Sequence, residues 1–238
     1  MHRISSGPRV VLFDLDGTLV DSVELIVRCF QHTTAYHLGA PLERTTIVAT
    51  IGRPLRACLE EIAPGRGEAL YATYREFNNA QHDLLIQPIA GMLSVLPVLR
   101  GWGYPLGVVT SKTRVGAEAA LARFELGAVL DTVVCLEDTI QHKPEPEPLL
   151  CAARRLGVAP EQALYVGDST FDVRSAQAAG MPVAAVLWGA GKEADLHALR
   201  PTYLLSDPAE LLELLRPAPR DSGETPVVGR SAGHALQF

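Results

Sequence analysis

The 238-residue sequence has only three lysines, four cysteines and 6% aromatic residues, and it lacks any long apolar run. No stretch approaches the roughly 18 consecutive apolar residues of a membrane span, and the first eight residues lack the apolar segment of an export signal. The cysteines form no CxxC pair and no Cys/His cluster with zinc spacing, so no redox motif or structural zinc site is indicated. These absences predict a cytoplasmic protein that is not attached to a membrane.

Charge and composition narrow the classes of partner. Hydrophobic residues make up 47% and charged residues 20%, which is typical of a globular chain with a sizeable core and excludes a mostly disordered protein. The formal net charge of -6 argues against nucleic acid as the main partner, because binding to phosphate backbones needs a basic surface. A small anionic substrate needs only a local positive pocket. The sequence leaves open whether the protein is a monomer or a homodimer.

Short apolar runs that alternate with helical segments predict the fold. The first run, Val10–Phe13, ends at Asp14-Leu15-Asp16-Gly17, as expected for a buried strand followed by a tight turn. Strands that alternate with helices imply right-handed crossovers and a parallel sheet that is covered on both faces. We therefore predict an α/β fold with a doubly wound parallel sheet. The other predicted strands are 106–109, 132–135, 163–166 and 182–187.

One connection is far too long for an ordinary crossover, because more than ninety residues separate the first strand from the second. Its content is typical of helices. Ser22 is placed to cap a helix that runs through Leu38, Pro54 fits the start of another, and 67–81 carries apolar residues at helical spacing. The sequence therefore predicts a small α-helical cap domain inserted into the α/β core.

The end of the chain has a different composition. It is rich in Pro, Gly, Ser and charge and has no sustained apolar period, so it is predicted to be a flexible tail. The predicted parts are the core at 1–19 and 89–216, the helical cap domain at 20–88 and the tail at 217–238.

Ligands bind at the carboxyl ends of the strands in a doubly wound sheet, so the residues that follow each strand are the candidate site. The polar residues at these positions are Asp14, Asp16, Thr110, Ser111, Asp168 and Asp172. Lys143 precedes a helix that should return to the same edge. Carboxylates that converge there would repel one another unless a cation lies among them, and an all-oxygen site suits Mg²⁺. A metal, hydroxyl donors and an ammonium group together favour phosphoryl transfer.

Four segments at these strand ends resemble the motifs of the haloacid dehalogenase superfamily of phosphotransferases. Each segment alone is weakly specific, but all four occur in order and in register with the predicted strand ends, over residues from about 10 to 215. The resemblance implies a metal-dependent phosphatase with an α/β core and a helical cap. The segments are Asp14-Leu15-Asp16-Gly17-Thr18, Val109-Thr110-Ser111-Lys112, Lys143-Pro144-Glu145-Pro146 and Val166-Gly167-Asp168-Ser169-Thr170-Phe171-Asp172.

The resemblance also implies a role for each matching residue. Asp14 would be the nucleophile that forms an aspartyl-phosphate. Asp16 would be the general acid that protonates the leaving oxygen and then the base that activates water. Lys143 would neutralise the charge of the phosphoryl oxygens and of Asp14.

The same resemblance implies two sets of binding residues, one for phosphate and one for the metal. The phosphate-binding residues would be Thr110, Ser111 and Thr18, of which Thr18 would also help to position Asp16. The Mg²⁺ ligands would be Asp14, the backbone carbonyl of Asp16 and Asp168, with Asp172 as a further ligand or behind the ligands.

Within the superfamily, the sequence favours phosphate chemistry on a small metabolite. Dehalogenases lack the second carboxylate of the first motif, which is present here as Asp16, and phosphonate hydrolases need a cap lysine that 20–88 does not contain. β-Phosphoglucomutases carry a cap histidine soon after the first motif, whereas this sequence has none between the first motif and His32. The remaining likeness, through 50–55 and 144–146, is to phosphoglycolate phosphatases and related pyrophosphatases. We therefore predict a phosphatase that hydrolyses a small, phosphoglycolate-like phosphomonoester.

Several alternatives stay open at this stage. They are an inorganic pyrophosphatase of the same family, a mutase-like phosphotransferase and a receiver-like module that accepts phosphate once as a switch. Arg53 would meet the far anionic group of the substrate, although Gly52-Arg53-Pro54 is equally typical of a turn before a helix. Lys112 is expected to lie at the surface or to contribute only through its backbone. Gly189-Ala190-Gly191-Lys192 is expected to be a loop because it departs from the phosphate-loop pattern.

Overall fold

Six parallel strands form the central sheet, and helices cover both of its faces. The structure is a computed structural model that describes residues 7–217. Its strands are β1 Val10–Phe13, β2 Val20–Asp21, β3 Gln87–Pro88, β4 Leu106–Val109, β5 Thr132–Val134, β6 Ala163–Gly167, β7 Val183–Val186 and β8 Tyr203–Leu205. Its α-helices are α1 Val23–Leu38, α2 Arg44–Val48, α3 Leu55–Ile62, α4 Gly67–Leu85, α5 Met92–Gly101, α6 Arg114–Arg123, α7 Glu147–Arg155, α8 Thr170–Ala178, α9 Glu193–Ala198 and α10 Ala209–Leu215.

The first strand lies in the middle of the sheet. The strand order is β5-β4-β1-β6-β7-β8, and every neighbouring pair is parallel. The prediction of a doubly wound α/β fold is confirmed, and the five predicted strands agree with the structure to within one residue at each end. The sequence does not predict β8, because it has only three residues and only one of them is fully buried.

The burial of β1 explains its apolar sequence. Alternate residues point to opposite faces of the sheet, and all four are buried. Val11 and Phe13 cluster with residues of α5, α6 and α10, while Val10 and Leu12 cluster with residues of α7 and α8. A strand that is covered on both faces must be a continuous apolar run, not an alternating one. Each large apolar side chain buried in this way stabilises the fold by about 1.5–3 kcal/mol.

The long insertion leaves and re-enters the core through two short strands that pair with each other. β2 and β3 are antiparallel, with Val20 opposite Pro88 and Asp21 opposite Gln87. Between them, α1 and α3 both pack against α4. We refer to residues 20–88 as the lid, and the division of the chain into separate domains stays a prediction.

The lid helices α1 and α3 follow the sequence pattern with one exception at a cap, whereas α4 runs four residues beyond the predicted 67–81. α1 begins directly after Ser22 and ends at Gly39, whose φ of 82° lies in the left-handed region that glycine adopts without strain. α3 begins one residue after Pro54. The exception is the hydroxyl of Ser22, which does not cap α1 but donates to Asp16. This serine therefore belongs to the site described below.

Some predictions extend beyond the part of the chain that the structure describes. Of the predicted flexible tail at 217–238, only Pro217 is described, so that prediction lies outside the described residues. Across residues 7–217, no helix is both long and apolar enough to cross a membrane. The four cysteines all fall in this range and are free thiols.

Candidate active site

The polar residues predicted at the strand ends meet at the carboxyl edge of the sheet. β4 and β5 lie on one side of β1, whereas β6, β7 and β8 lie on the other. Such a switch in the direction of sheet growth opens a crevice at the strand ends, where ligands bind in doubly wound sheets. Asp14 follows β1, Thr110 follows β4 and Asp168 follows β6. The fold therefore places these three residues at the mouth of one crevice.

A buried ammonium group joins two of the carboxylates. Lys143 Nζ donates to Asp14 Oδ1 and to Asp172 Oδ1, each at 2.8 Å, and the lysine side chain is only 1% exposed. Tyr165 OH lies 3.2 Å from Nζ and donates to Asp172 Oδ1 at 2.9 Å. The backbone N–H and the hydroxyl of Ser169 donate to the other oxygen of Asp172. Asp172 therefore has both oxygens occupied by protein donors and holds Lys143 in place.

Asp168 is buried and is fixed by two donors from distant parts of the chain. The Thr18 hydroxyl donates to Oδ1 at 3.0 Å, and the backbone N–H of Ala190 donates to Oδ2 at 2.7 Å. The Thr18 hydroxyl thus contacts Asp168 and not the carboxylate of Asp16. The predicted roles of Thr18 in positioning Asp16 and in binding phosphate stay predictions.

Three carboxylates lie close enough together to share a divalent cation. One oxygen from each of Asp14, Asp168 and Asp172 lies within 4.8 Å of the others, and all three residues are buried. The ammonium group of Lys143 neutralises one of these charges, which leaves two negative charges that a bound Mg²⁺ would balance. Because Asp172 is already occupied by protein donors, Asp14 and Asp168 are the better candidates for direct ligands.

The electrostatics of these groups agree with a site built for a cation. Burial raises the pKa of Asp14 to about 7, against the opposing effect of Lys143 and with an added effect of Asp172. Burial also raises the pKa of Asp168 well above its ordinary value, and the charges of Asp172 and Asp14 raise it further. For Lys143, burial favours the neutral amine, but the two carboxylates that it contacts outweigh burial and raise its pKa. The cluster therefore lacks positive charge even though its lysine stays protonated.

Asp16 has a different environment from the three clustered carboxylates. Its side chain is 14% exposed and accepts hydrogen bonds from the Ser22 hydroxyl and the Lys112 ammonium group. The expectation that Lys112 lies at the surface or contributes only through its backbone is wrong, because its side chain is 19% exposed and contacts Asp16. The predicted metal contact of Asp16 runs through its backbone carbonyl and stays a prediction.

The two hydroxyl residues after β4 make different contacts, and one of them connects the core to the lid. Thr110 is buried, and its hydroxyl accepts the backbone N–H of Lys112. The Ser111 hydroxyl donates to the carbonyl oxygen of Gly52 in the lid at 2.6 Å. Gly52 has a φ of 99°, and a Cβ at this position would lie 2.8 Å from Ser169 Oγ. Only glycine therefore allows the lid loop to approach the strand ends this closely.

A cavity of about 90 Å³ lies between the lid and the strand ends. Arg53 lines it from the lid and forms an ion pair with Glu61. Sites for drug-sized ligands span about 300–1,000 Å³, so this cavity indicates a small substrate. The residues that line it, all within the described part of the chain, include no histidine. From the core, the lining includes Asp14, Asp16, Thr110 and Ser111.

Several groups that hold the site together have little or no signal in the sequence. Ser169 does have a sequence signal, because its spacing to Asp172 is that of a capping box, and the structure contains this capping box. Tyr165 has the pattern of an ordinary apolar strand residue. Ala190 acts through its backbone, which no side-chain pattern reveals, and Trp188 Nε1 donates to the carbonyl of Thr18 at 3.2 Å. The loop at 188–191 is therefore part of the site and not an ordinary connection.

Replacement of Gly189 by alanine should destabilise the fold and weaken Mg²⁺ binding. A Cβ at Gly189 would overlap the carboxylate of Asp168, and such overpacking costs about 1–3 kcal/mol. Urea unfolding in chelator measures the first effect, and calorimetric titration with Mg²⁺ measures the second. Gly101→Ala is the matched control, because a Cβ there meets nothing within 4 Å. Unchanged stability and Mg²⁺ affinity in Gly189→Ala would contradict the role of this loop.

Comparisons with known proteins identify the family of this chain and agree with its fold. The chain matches a family model described as haloacid dehalogenase-like hydrolase over residues 11–186. Pyrophosphatase PpaX from Bacillus cereus is 37% identical over 205 residues, which cover 86% of this chain and 95% of the relative. A solved haloacid dehalogenase-like hydrolase from Streptococcus pneumoniae has a TM-score of 0.78 at 29% identity and covers 88% of this chain and 99% of its own. A structure from Lactobacillus plantarum, provisionally named a phosphoglycolate phosphatase, has a TM-score of 0.79 at 26% identity. The match covers 88% of this chain and 100% of that structure's chain.

Proposed function

Because this chain belongs to the haloacid dehalogenase-like hydrolase family and is one of its phosphatases, we propose that it hydrolyses pyrophosphate with Mg²⁺ through a phosphoryl group carried on Asp14. The observation that carries the proposal is the buried set of Asp14, Asp168, Asp172 and Lys143 beside a small cavity that Asp14 lines. Support for the substrate comes from the relatives named pyrophosphatase, which match over most of their own length.

The reaction divides into two steps between two carboxylates. Oδ1 of Asp14 continues to accept a hydrogen bond from Lys143, and the other carboxylate oxygen of Asp14 attacks phosphorus. A P–O bond to Asp14 forms as the bond between phosphorus and the leaving phosphate breaks. Asp16 gives its proton to the leaving oxygen. Asp16 then takes a proton from a water molecule whose oxygen attacks the same phosphorus. The bond to Asp14 breaks, and the second phosphate is released.

Donors on both sides of Asp14 offset the negative charge of the transferred group. Lys143 supplies the buried positive charge, and the hydroxyls of Thr110 and Ser111 supply hydrogen bonds to the phosphoryl oxygens. Ser111 donates to Gly52 in this structure, so its hydroxyl must turn away from the lid loop before it reaches the substrate. Substrate binding and the contact of the lid with the core are therefore linked through one hydroxyl group.

The metal would be held at the carboxylate cluster, where the negative charges outnumber the one positive charge of Lys143. Asp14, Asp168 and the backbone carbonyl of Asp16 would be its protein ligands, and Asp172 would act through its hold on Lys143. When bound, Mg²⁺ supplies positive charge that stabilises the transferring phosphoryl group.

Phosphoglycolate is the second candidate substrate. It resembles pyrophosphate in size and in carrying an anionic group beyond the phosphoryl group, so the small cavity suits both. The similarity to the structure from Lactobacillus plantarum favours it. Arg53 would meet the far anionic group only after its ion pair with Glu61 opens.

Two other readings of the sequence lose support. A mutase of the β-phosphoglucomutase type uses a cap histidine, and no histidine is among the described residues that line the cavity. A receiver-like switch would take up phosphate once, whereas the family model that matches this chain is that of hydrolases.

A substrate panel tests the proposal. Phosphate release is measured from pyrophosphate, phosphoglycolate, glucose 6-phosphate and AMP, with Mg²⁺ and with chelator. We expect kcat/KM for pyrophosphate to exceed the others by at least about tenfold and all turnover to stop in chelator. A preference for phosphoglycolate would select the second candidate. The absence of release from every compound would refute both.

A further inference from the structure

One positive charge in the cavity has no acidic partner. Three lid arginines line the cavity, and two of them, Arg53 and Arg56, each form an ion pair with a glutamate. Among residues 7–217, Arg75 forms no ion pair, and its guanidinium donates to the neutral amide oxygen of Asn79 at 3.3 Å. The protein therefore leaves the charge of Arg75 available to a ligand in the cavity.

Arg75 also lies close to a second cation that comes from the core. From the position that a Cβ at Gly116 would occupy, Arg75 Nη1 is 3.6 Å away and Lys112 Cδ is 3.9 Å away. Lys112 in turn contacts Asp16, the proposed general acid. Two positively charged side chains, one from the lid and one from the core, thus line the same end of the cavity. Two positive charges that line one cavity repel each other, and an anion bound between them offsets the repulsion.

We propose that Arg75 binds the second anionic group of the substrate, the part that leaves when the phosphoryl group is transferred to Asp14. This inference rests on the proposed function, because it takes the phosphoryl group to lie at Asp14. Asp14 and Arg75 line the same cavity, so a small molecule with two charged groups has a candidate partner there for each of them. A guanidinium donates two parallel hydrogen bonds to a phosphate or a carboxylate. The ligand class is therefore a small phosphate that carries a second phosphate or a carboxylate.

Arg75 suits this role better than Arg53, which the sequence pattern favours. The guanidinium of Arg53 is held by Glu61, so substrate binding there must first break an ion pair. The partner of Arg75 is a neutral amide, which an anion displaces at lower cost. Arg53 thus stabilises the lid, whereas Arg75 selects the substrate.

A pair of substrates that differ only in this charge tests the inference. Phosphoglycolate carries a carboxylate, whereas 2-hydroxyethyl phosphate carries a neutral hydroxyl group of similar size. Arg75→Gln should lower kcat/KM for phosphoglycolate by about 10- to 100-fold and for 2-hydroxyethyl phosphate by no more than about threefold. Arg28→Gln is the matched control, because Arg28 is an exposed lid arginine that pairs with Glu24 outside the cavity. Equal losses on both substrates would overturn the inference.

A binding measurement separates this inference from the proposed function. The Kd of pyrophosphate is measured by calorimetry with Mg²⁺ present, on Asp14→Asn and on the same variant with Arg75→Gln added. We expect the second substitution to raise Kd by about tenfold or more. An unchanged Kd would overturn the role of Arg75 even if the enzyme hydrolyses pyrophosphate. If the wild-type protein hydrolyses nothing, the proposed function fails, and this Kd still decides the role of Arg75.

Discussion

Asp14→Asn is expected to lower phosphate release by at least about 10⁴-fold while the fold stays intact. Asparagine has nearly the same shape as aspartate, but its neutral amide oxygen does not attack phosphorus. The substitution also removes one of three buried carboxylates, while Lys143 keeps its contact with Asp172. The variant should therefore unfold in chelator at the same urea concentration as the wild type or at a higher one.

The measurement is the initial rate of phosphate release at saturating substrate with Mg²⁺, together with a urea unfolding curve. Asp195→Asn is a suitable control, because Asp195 is an exposed aspartate in the first turn of α9. Turnover within about tenfold of the wild type in Asp14→Asn would remove this residue from the nucleophile role.

Lys143→Met is expected to destabilise the protein by about 3–5 kcal/mol, because it removes the cation from a buried ion pair network and leaves the carboxylates uncompensated. Methionine fills a similar volume, so the loss of charge and not a cavity dominates the effect. Tyr165 also loses a neighbour at 3.2 Å. The free energy of unfolding is measured by urea in chelator, so that a bound metal does not mask the loss.

A second substitution keeps this prediction testable if Lys143→Met fails to fold. Asp172→Asn is added to the Lys143→Met variant and removes one of the two carboxylates that Lys143 contacts. This double variant should regain at least half of the stability that Lys143→Met loses. Lys192→Met serves as the control, because Lys192 is exposed. A Lys143→Met variant that unfolds at the same urea concentration as Lys192→Met would contradict the account of the buried charges.

The fold could be predicted from the sequence because its central strands are buried on both faces. The residues of β1 and β4 form continuous apolar runs, and this signal survives without any knowledge of the partner elements. β8 and α2 have three and five residues, and elements this short depend on tertiary packing more than on their own pattern. The antiparallel pairing of β2 with β3 involves two residues of each strand and has no local signal.

The charged residues of the site could be predicted more readily than their partners. Asp14 and Asp168 directly follow β1 and β6, and Lys143 lies in the loop before α7, so that the fold itself brings them together. The sequence does not reveal that the Thr18 hydroxyl donates to Asp168, 150 positions away, because that choice depends on how the side chains pack. Lys112 illustrates the same limit, since a lone lysine is usually exposed, whereas this one is partly buried and contacts Asp16.

The paired linkers of the lid have a consequence for how such a protein evolves. Because Val20 and Pro88 lie opposite each other, the lid begins and ends at nearly one point of the core. A segment with adjacent ends can be exchanged without displacing the strands that carry Asp14 and Thr110. We expect a chimera with a lid from another protein to keep Asp14, the proposed nucleophile, and to acquire a new substrate preference. One hydrolytic core would then accept different substrates after exchange of the segment between the two paired linkers.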